Sequence, residues 1–319
     1  NTSTPQIYEN NFIAYVERVL ADWDEKDNKN ADMKLYSFDV FDTLITRTTA
    51  TPFGIFAMMQ QKFQDIEKWG DILEYTRNNF YELRINAERL ARAMKNGTDF
   101  EKGIRTNGVF EDVTLEDIYH VFVFSNLLTE DQAEVVKNLE IETEIEAVVG
   151  IPRNIDLVKE LVSEGKRVIA ISDMYHSSKT IKRMLLAADS VFENVDVYVS
   201  SEYSMTKGTG NLYRKVRDIE GIGFEQWQHI GDNKKGDYEL AKNFGITAEL
   251  YPISWRTRFE EFILNEELND SFVQRQVAFA KNTRIKYNLR KVQAIGADLA
   301  TFLLIPYVEF IIDNCMKRN

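Results

Sequence analysis

The sequence predicts an α/β protein: a parallel sheet with helices on both faces, a block of helices inserted into it, and a helical extension after it. Three observations carry this expectation. From Pro152 onward, short apolar runs of strand length alternate with amphipathic runs of helical spacing, as in successive βαβ units. Between residues 52 and 150 the strand signal disappears and only helical spacing remains. Polar, reactive side chains follow four predicted strands in turn, which is where ligands bind in open parallel sheets.

Residues 7–23 carry Phe12, Tyr15, Val16, Val19 and Leu20 at helical spacing and predict an amphipathic N-terminal helix within residues 1–33. A charged connection at 24–32 leads to a short buried strand at 34–38, which runs into Asp39. The sheet core is expected to comprise 34–51 and 151–252. The insert at 52–150 predicts a helix at 53–63 with Pro52 in its first turn, and one long helix at 72–94. That long helix would show Phe80, Leu83, Ala87, Leu90 and Met94 on one face. Two more helices are expected at 115–124 and 131–149. The core then continues as helix 155–163, strand 167–172, helix 179–188, strand 195–200, helix 212–219, strand 228–231, helix 235–244 and strand 247–251. Residues 253–319 form the C-terminal extension, helical from 257 to 316.

The chain has 319 residues, 44% hydrophobic and 28% charged, a mixture that can bury a sizeable core. Lys and Arg number 39 against 51 Asp and Glu, a formal charge of −12 that argues against a nucleic-acid partner. Cys315 is the single cysteine, so an internal disulfide is impossible and a partly buried thiol in a reducing compartment is expected. With a polar start and no secretory pattern, the expected location is cytoplasmic. Residues 300–312 are apolar but contain Pro306 and Glu309; they are too short and interrupted for a membrane span, and a buried helix is expected. The end at Met316-Lys317-Arg318-Asn319 carries no stop signal, so a further domain beyond it is expected.

The chemistry-bearing residues lie just past the predicted strands. The first gives Asp39-Val40-Phe41-Asp42-Thr43-Leu44 and the second Ser172-Asp173-Met174. Lys207-Gly208 lies beyond the third, and the fourth gives Gly231-Asp232-Asn233 followed by Gly236-Asp237. Taken singly, Asp39 is a strand-end turn residue, Ser172 a helix cap and Lys207 a surface lysine. Together they form a site. A strand-end carboxylate can attack phosphorus. Two or three carboxylates facing one point need a hard cation between them, and Mg²⁺ prefers such oxygen ligands. A hydroxyl and an ammonium can stabilise phosphoryl oxygens.

The ordered set Phe38-Asp39-x-x-x-Thr43-Leu44, Ser172, Lys207 and Gly231-Asp232-Asn233-x-x-Gly236-Asp237 resembles the four motifs of the haloacid-dehalogenase (HAD) superfamily. The helical insert between the first two motifs resembles that superfamily's common cap. The resemblance spans residues 35–251 and implies a Rossmann-like core and a Mg²⁺-dependent phosphatase. It implies Asp39 as nucleophile and metal ligand, with the Phe41 carbonyl, Asp232 and Asp237 also at the metal. It implies Thr43 and Ser172 at the phosphoryl oxygens, beside Asp173, and Lys207 neutralising the phosphate. Residues 37–47, 171–175 and the helical tail also resemble predicted hydrolases found beside glycosyltransferases of bacterial surface-polysaccharide synthesis. That narrower likeness implies a small phosphorylated substrate, a sugar phosphate.

One departure matters. Most phosphatases of this superfamily carry a second Asp two residues after the nucleophile as general acid and base; here that position is Phe41. Asp42 follows, where Gly is usual, and is the in-sequence candidate for proton transfer. The dehalogenase branch also lacks the second Asp but lacks the acidic fourth motif too, so metal-assisted phosphate chemistry is favoured. The alternatives are a phosphotransferase or dehalogenase on the same site, or a weakly active binding module in a larger glycosyltransferase-associated protein. Arg47, close to the first motif, is a candidate substrate contact. Arg84, Arg89 and Arg92 are expected on a solvated face or in ion pairs. Of Glu140, Glu142, Glu144 and Glu146, one could point toward the site. His229 is expected to be structural, and His176, after the second motif, is the histidine to test.

Overall fold

The computed structural model describes residues 33–95, 98–99, 104–105, 110–266, 268–289 and 292–316. The helix expected at 7–23 lies outside the described residues.

Five parallel strands form the core sheet: β1 (Leu35–Asp39), β6 (Arg167–Ser172), β7 (Asp196–Val199), β8 (Trp227–Gly231) and β9 (Thr247–Leu250). Their order is β7-β6-β1-β8-β9, which puts β1 at the centre. Side chains alternate between faces as strand geometry requires. Tyr36, Phe38, Val168 and Ala170 pack under helices Pro152–Ser163 and Ser178–Ala188, through Val158, Leu161, Ile181 and Met184. Leu35, Ile169 and Ile171 pack on the other face with Leu212, Tyr213 and Val216 of helix Asn211–Glu220. Both faces are covered, and this is why β1 and β6 read as nearly continuous apolar runs.

The chain enters and leaves the insert through a two-stranded antiparallel ribbon, β2 (Ile45–Arg47) with β5 (Val148–Gly150). The insert itself consists of helices Gly54–Lys62, Ile66–Trp69, Glu74–Asn78, Phe80–Lys95, Leu115–Phe124 and Glu130–Glu146, with a small pair β3 (Thr98–Asp99) and β4 (Ile104–Arg105). It has its own core, in which Phe63, Trp69, Phe80 and Phe122 meet ring to ring. Capping boxes at Thr114 with Asp117, and at Thr129 with Gln132, start the last two helices. The single helix expected at 72–94 is broken at Asn79. Its side-chain amide donates to Tyr75 O at 2.8 Å, and its own backbone leaves helical geometry, a competition typical of Asn. Buried Arg77 reinforces the break by donating to Ile72 O and Phe63 O rather than facing solvent.

The extension comprises helices Arg258–Glu266, Ser271–Lys286 and a continuous helical run, Val292–Met316, with a wider π turn at Ala300–Leu304. Its last part corrects the expectation of a buried helix. The run is 25 residues long, with mean hydropathy 1.8 in its most apolar window and only 12% of that window buried, so it is long and apolar enough to cross a membrane by length and composition. Leu303, Leu304, Tyr307 and Phe310 are exposed, and so is Cys315, which was expected to be partly buried. Pro306 does not end the run, because the π turn just before it absorbs the missing amide donor.

Candidate active site

Asp39 ends β1, buried at the carboxyl edge of the sheet. The chain then turns sharply through Asp42, whose φ of 57° lies in the left-handed region that few non-glycine residues other than Asn and Asp enter. Asp42 N donates to Ile45 O at 2.6 Å and Leu44 N to Val40 O at 2.9 Å, closing the turn. Asn154, in the first turn of helix Pro152–Ser163 beyond the insert, donates its amide to Thr43 O at 2.7 Å and anchors the turn.

Lys207 arrives on the loop after β7 and is almost fully buried. Its ammonium pairs with Asp39 and lies 2.7 Å from Asp237 Oδ1. Asp237 comes from the first turn of helix Lys234–Leu240, which Asn233 caps by accepting from Lys235 N and Gly236 N. Gly231 makes this approach possible, since a Cβ there would stand 2.4 Å from Asp237 Cγ. Asp237 also accepts from Asn233 N at 3.0 Å and faces His229 Nε2 at 3.2 Å. Burial holds His229 below its ordinary pKa, so its ring is neutral near pH 7. A neutral imidazole facing an acceptor-only carboxylate carries its proton on Nε2, and Nδ1 then accepts from Ser37 Oγ at 2.7 Å. Trp227 Nε1 donates to the same Ser37 oxygen at 2.6 Å. A buried chain thus runs Trp227–Ser37–His229–Asp237–Lys207–Asp39, and His229 orients the fourth-motif acid.

The electrostatics follow from crowding. Burial pushes Asp39 up to about 7, with the Lys207 ammonium pulling down and Asp237 pushing up. Burial, then the Asp39 charge, holds Asp232 well above the carboxylate range. For Asp237, burial is outweighed by Lys207 and His229, and its carboxyl stays well below that range. Burial works against the Lys207 ammonium, but Asp237 and Asp39 hold it well above the ordinary lysine value. Asp39, Asp232 and Asp237 each offer an oxygen within 4.8 Å of the others. Three hard oxygens at this spacing, two of them unfavourable to ionise, fit a divalent cation such as Mg²⁺. Asp237 already serves Lys207 and His229, which suits it better to holding the lysine than to holding the ion.

A cavity of about 440 Å³ opens over this cluster. Asp39, Phe41, Asp42, Arg47, Ser172, Asp173, Lys207, Asp232 and Asp237 line it, and exposed Pro52, Gly208, Asn233 and Lys235 stand at its rim. Among the described residues, none from the insert beyond Pro52 lines it. Thr43 is fully buried behind the wall, its hydroxyl 3.5 Å from Asp39 Oδ2. Three of the residues expected at the site are tied to partners of their own. The first is Asp42. Lys281 of the extension reaches its Oδ1 at 2.5 Å and Thr46 donates to the same oxygen at 2.7 Å. Burial opposes ionisation, but Lys281 prevails and holds the carboxyl low, so Asp42 carries no proton near neutrality. Asp173 lines the cavity, and its carboxylate accepts from Lys207 N at 2.8 Å. Arg47 is buried and bound twice by Glu144, at 2.7 and 3.2 Å, with its guanidinium 3.9 Å above the Phe41 ring.

Glu144 is thus the acid of the insert that reaches toward the site, while Glu140 is buried against Arg84 at 2.8 Å. Arg84 is buried in that pair, Arg92 pairs with Glu88 and Asp112, and Arg89 is exposed. His176 is fully buried, its Nε2 3.9 Å from Glu144 Oε1. Sequence reasoning missed Glu111 and Lys281, both far along the chain from the loops they bind. The only signal either gave was a charged residue in a polar or amphipathic segment.

The central β1, the helical insert between β1 and β6, and the polar residues at four strand ends belong to an α/β fold with a Rossmann-like parallel core. No protein-family profile and no curated protein sequence matches the chain. Solved structures similar to it include a 2-haloacid dehalogenase from Pseudomonas syringae pv. Tomato DC3000, 13% identical over 70% of this chain and 89% of that one, TM-score 0.46. An L-2-haloacid dehalogenase from Xanthobacter autotrophicus is 10% identical over 67% and 75%, TM-score 0.41. A HAD family enzyme from Bacteroides thetaiotaomicron, in a magnesium complex, is 14% identical over 69% and 93%, TM-score 0.43.

Proposed function

We propose that this chain is a Mg²⁺-dependent phosphomonoester hydrolase that works through a phospho-Asp39 intermediate. The observation that carries the reading is the Lys207 ammonium set between Asp39 and Asp237 at the floor of a polar cavity, with Asp232 beside them. In this reading an Asp39 oxygen attacks phosphorus, the P–O ester bond breaks, and the leaving alkoxide takes its proton from solvent. Water then attacks the phosphorus of phospho-Asp39, releasing inorganic phosphate and restoring the carboxylate. Lys207 neutralises the phosphoryl oxygens and keeps Asp39 aligned, Ser172 donates to a phosphoryl oxygen, and Thr43 steadies Asp39 from behind. Asp39, Asp232 and the Phe41 carbonyl would hold Mg²⁺, with Asp237 alongside. When bound, the ion supplies positive charge against the phosphate. The rim at Pro52, Asn233 and Lys235 is the entry for a small phosphorylated substrate, and the resemblance to glycosyltransferase-associated hydrolases makes a sugar phosphate the class to try first. A single cysteine and a net charge of −12 support a cytoplasmic setting without nucleic acid.

The test is a phosphate-ester panel assayed with the protein and with Asp39→Asn, each with Mg²⁺ and with chelator, plus acid quenching to trap phosphoenzyme. Turnover and an acid-stable phosphoenzyme in the unaltered protein with Mg²⁺ alone are expected. Metal-independent halide release from a haloacid would overturn the reading in favour of dehalogenation. Sugar-phosphate binding without any turnover would overturn it in favour of a binding module.

A further inference from the structure

The stretch that leads into helix Leu115–Phe124 is stitched to the core loops behind the cavity. Glu111 N donates to Ser204 O at 3.1 Å and Leu115 N to Tyr175 O at 2.9 Å, while Asp112 accepts from the Ser200 hydroxyl. The Glu111 carboxylate goes further. It accepts from Thr206 N at 2.7 Å, from Thr209 Oγ1 at 2.5 Å and from Asn211 Nδ2. Thr206 and Thr209 belong to the loop that carries Lys207, and Asn211 opens the helix that follows it. From the opposite side, Asp173 accepts from Lys207 N at 2.8 Å and Gly208 N at 3.4 Å. Three successive amides, 206 to 208, are therefore gripped by two carboxylates, one from the second-motif loop and one from the insert.

We propose that Glu111 is a positioning residue: through Thr206, Thr209 and Asn211 it fixes the loop whose lysine ties Asp39 to Asp237. This rests on the phosphatase reading for its kinetic consequence but not for its geometry. With the Glu111 side chain removed, the loop keeps Asp173 and its own turn bonds, Gly210 N to Lys207 O at 2.9 Å and Leu212 N to Thr206 O at 3.2 Å, but loses the ties at Thr206 N, Thr209 and Asn211, so its Thr206 end is held less tightly. Misplacement of a reacting group by about 1 Å can cost on the order of 100-fold in rate. Substrate does not touch Glu111, which is absent from the cavity wall, so the loss falls on the rate and not on affinity.

The experiment compares Glu111→Ala, Glu111→Gln, and Glu111→Ala in a Lys207→Ala background, with amide hydrogen exchange on the same proteins. Glu111→Ala is expected to lower kcat at least tenfold with KM within threefold. Glu111→Gln, which keeps one acceptor oxygen, should recover most of that loss. In the Lys207→Ala background the same change should cost nothing further, because its effect travels through the lysine. Exchange at Thr206 and Lys207 should quicken at least tenfold while β6 is unchanged. A kcat within twofold, or an equal loss in both backgrounds, would overturn the proposal. Should the unaltered protein show no turnover, the phosphatase reading fails on its own. Exchange then decides the positioning claim, and unchanged protection at 206 and 207 refutes it.

Discussion

Replacing Glu144 by Gln tests the buried ion pair that locks the insert to the site. Glu144 is fully buried on helix Glu130–Glu146, and its two oxygens take the Arg47 Nε and Nη2 at 2.7 and 3.2 Å. Gln keeps the shape and removes the charge, leaving a buried guanidinium without a counter-ion. Breaking such a pair typically costs about 3–5 kcal/mol. Proton linkage gives a second route to the size. Burial resists ionisation of Glu144, yet Arg47 and then His176 hold it at about 2, against 4.5 for the free group. A carboxyl depressed this far contributes about 3 kcal/mol at neutral pH. Because the folded value lies below the unfolded one, that contribution is complete above pH 4.5 and is lost as pH falls toward 2. Urea unfolding of both proteins at pH 7 and pH 3 reads the difference. A gap of about 3 kcal/mol at pH 7, falling below about half of that at pH 3, is expected. A gap under about 1 kcal/mol at pH 7, or one that does not change with pH, would refute the assignment of a net-stabilising pair.

The two halves of the Asp42–Lys281 tie should behave unequally. Lys281 is buried and Asp42 a third exposed, so Asp42→Asn, which strands the ammonium, should cost about 3 kcal/mol, and Lys281→Met about 1, by urea unfolding; equal costs would contradict the burial argument. Gly231→Ala should displace Asp237, lower stability by about 1–3 kcal/mol and abolish turnover, since the new Cβ would meet Asp237 Cγ at 2.4 Å; an unaltered crystal position for Asp237 would refute this. Asp298, on the last helical run, is raised to about 6 by burial and by Glu260. Its raised value means that stability falls as pH climbs from about 4 to 6, and thermal melts of Asp298→Asn should show a flatter slope over that window.

The core was legible because a strand buried on both faces is mostly apolar, and the buried polar side chains it carries, such as Ser37 and His229, are paired with each other. The runs at β1, β6 and β8 could be read directly, with bounds shifted by a residue or so. The long helix expected at 72–94 failed where side chain competed with backbone. The Asn79 side chain adds a bond to Tyr75 O beside the one from its own amide, Arg77 donates to Ile72 O, and hydrophobic spacing carries no record of either. The exposure of Leu303, Leu304 and Phe310 was hidden for a different reason. Apolarity states that a surface prefers cover and does not state that the described residues provide it.

At the site, the residues at strand ends were readable because topology alone brings four loops together. Their partners were not. Glu111 lies 95 residues from Thr206, Glu144 lies 97 from Arg47, and Lys281 lies 239 from Asp42. A carboxylate that grips a backbone amide and one that faces water are the same letter.

Phe41 shows what such pairings decide. Two residues after Asp39 this chain places a ring, and the Arg47 guanidinium lies 3.9 Å from its centre. Arg47 is in turn neutralised by Glu144, from the far end of the insert. The three residues come from the loop after β1, the ribbon and the last insert helix, so the ring at 41 is part of how the insert is attached. An Asp at position 41 would stand against that guanidinium and be held ionised, unable to give up a proton near neutrality. An acid introduced at 41 would therefore not act as a proton donor near neutrality unless Arg47 and Glu144 changed with it.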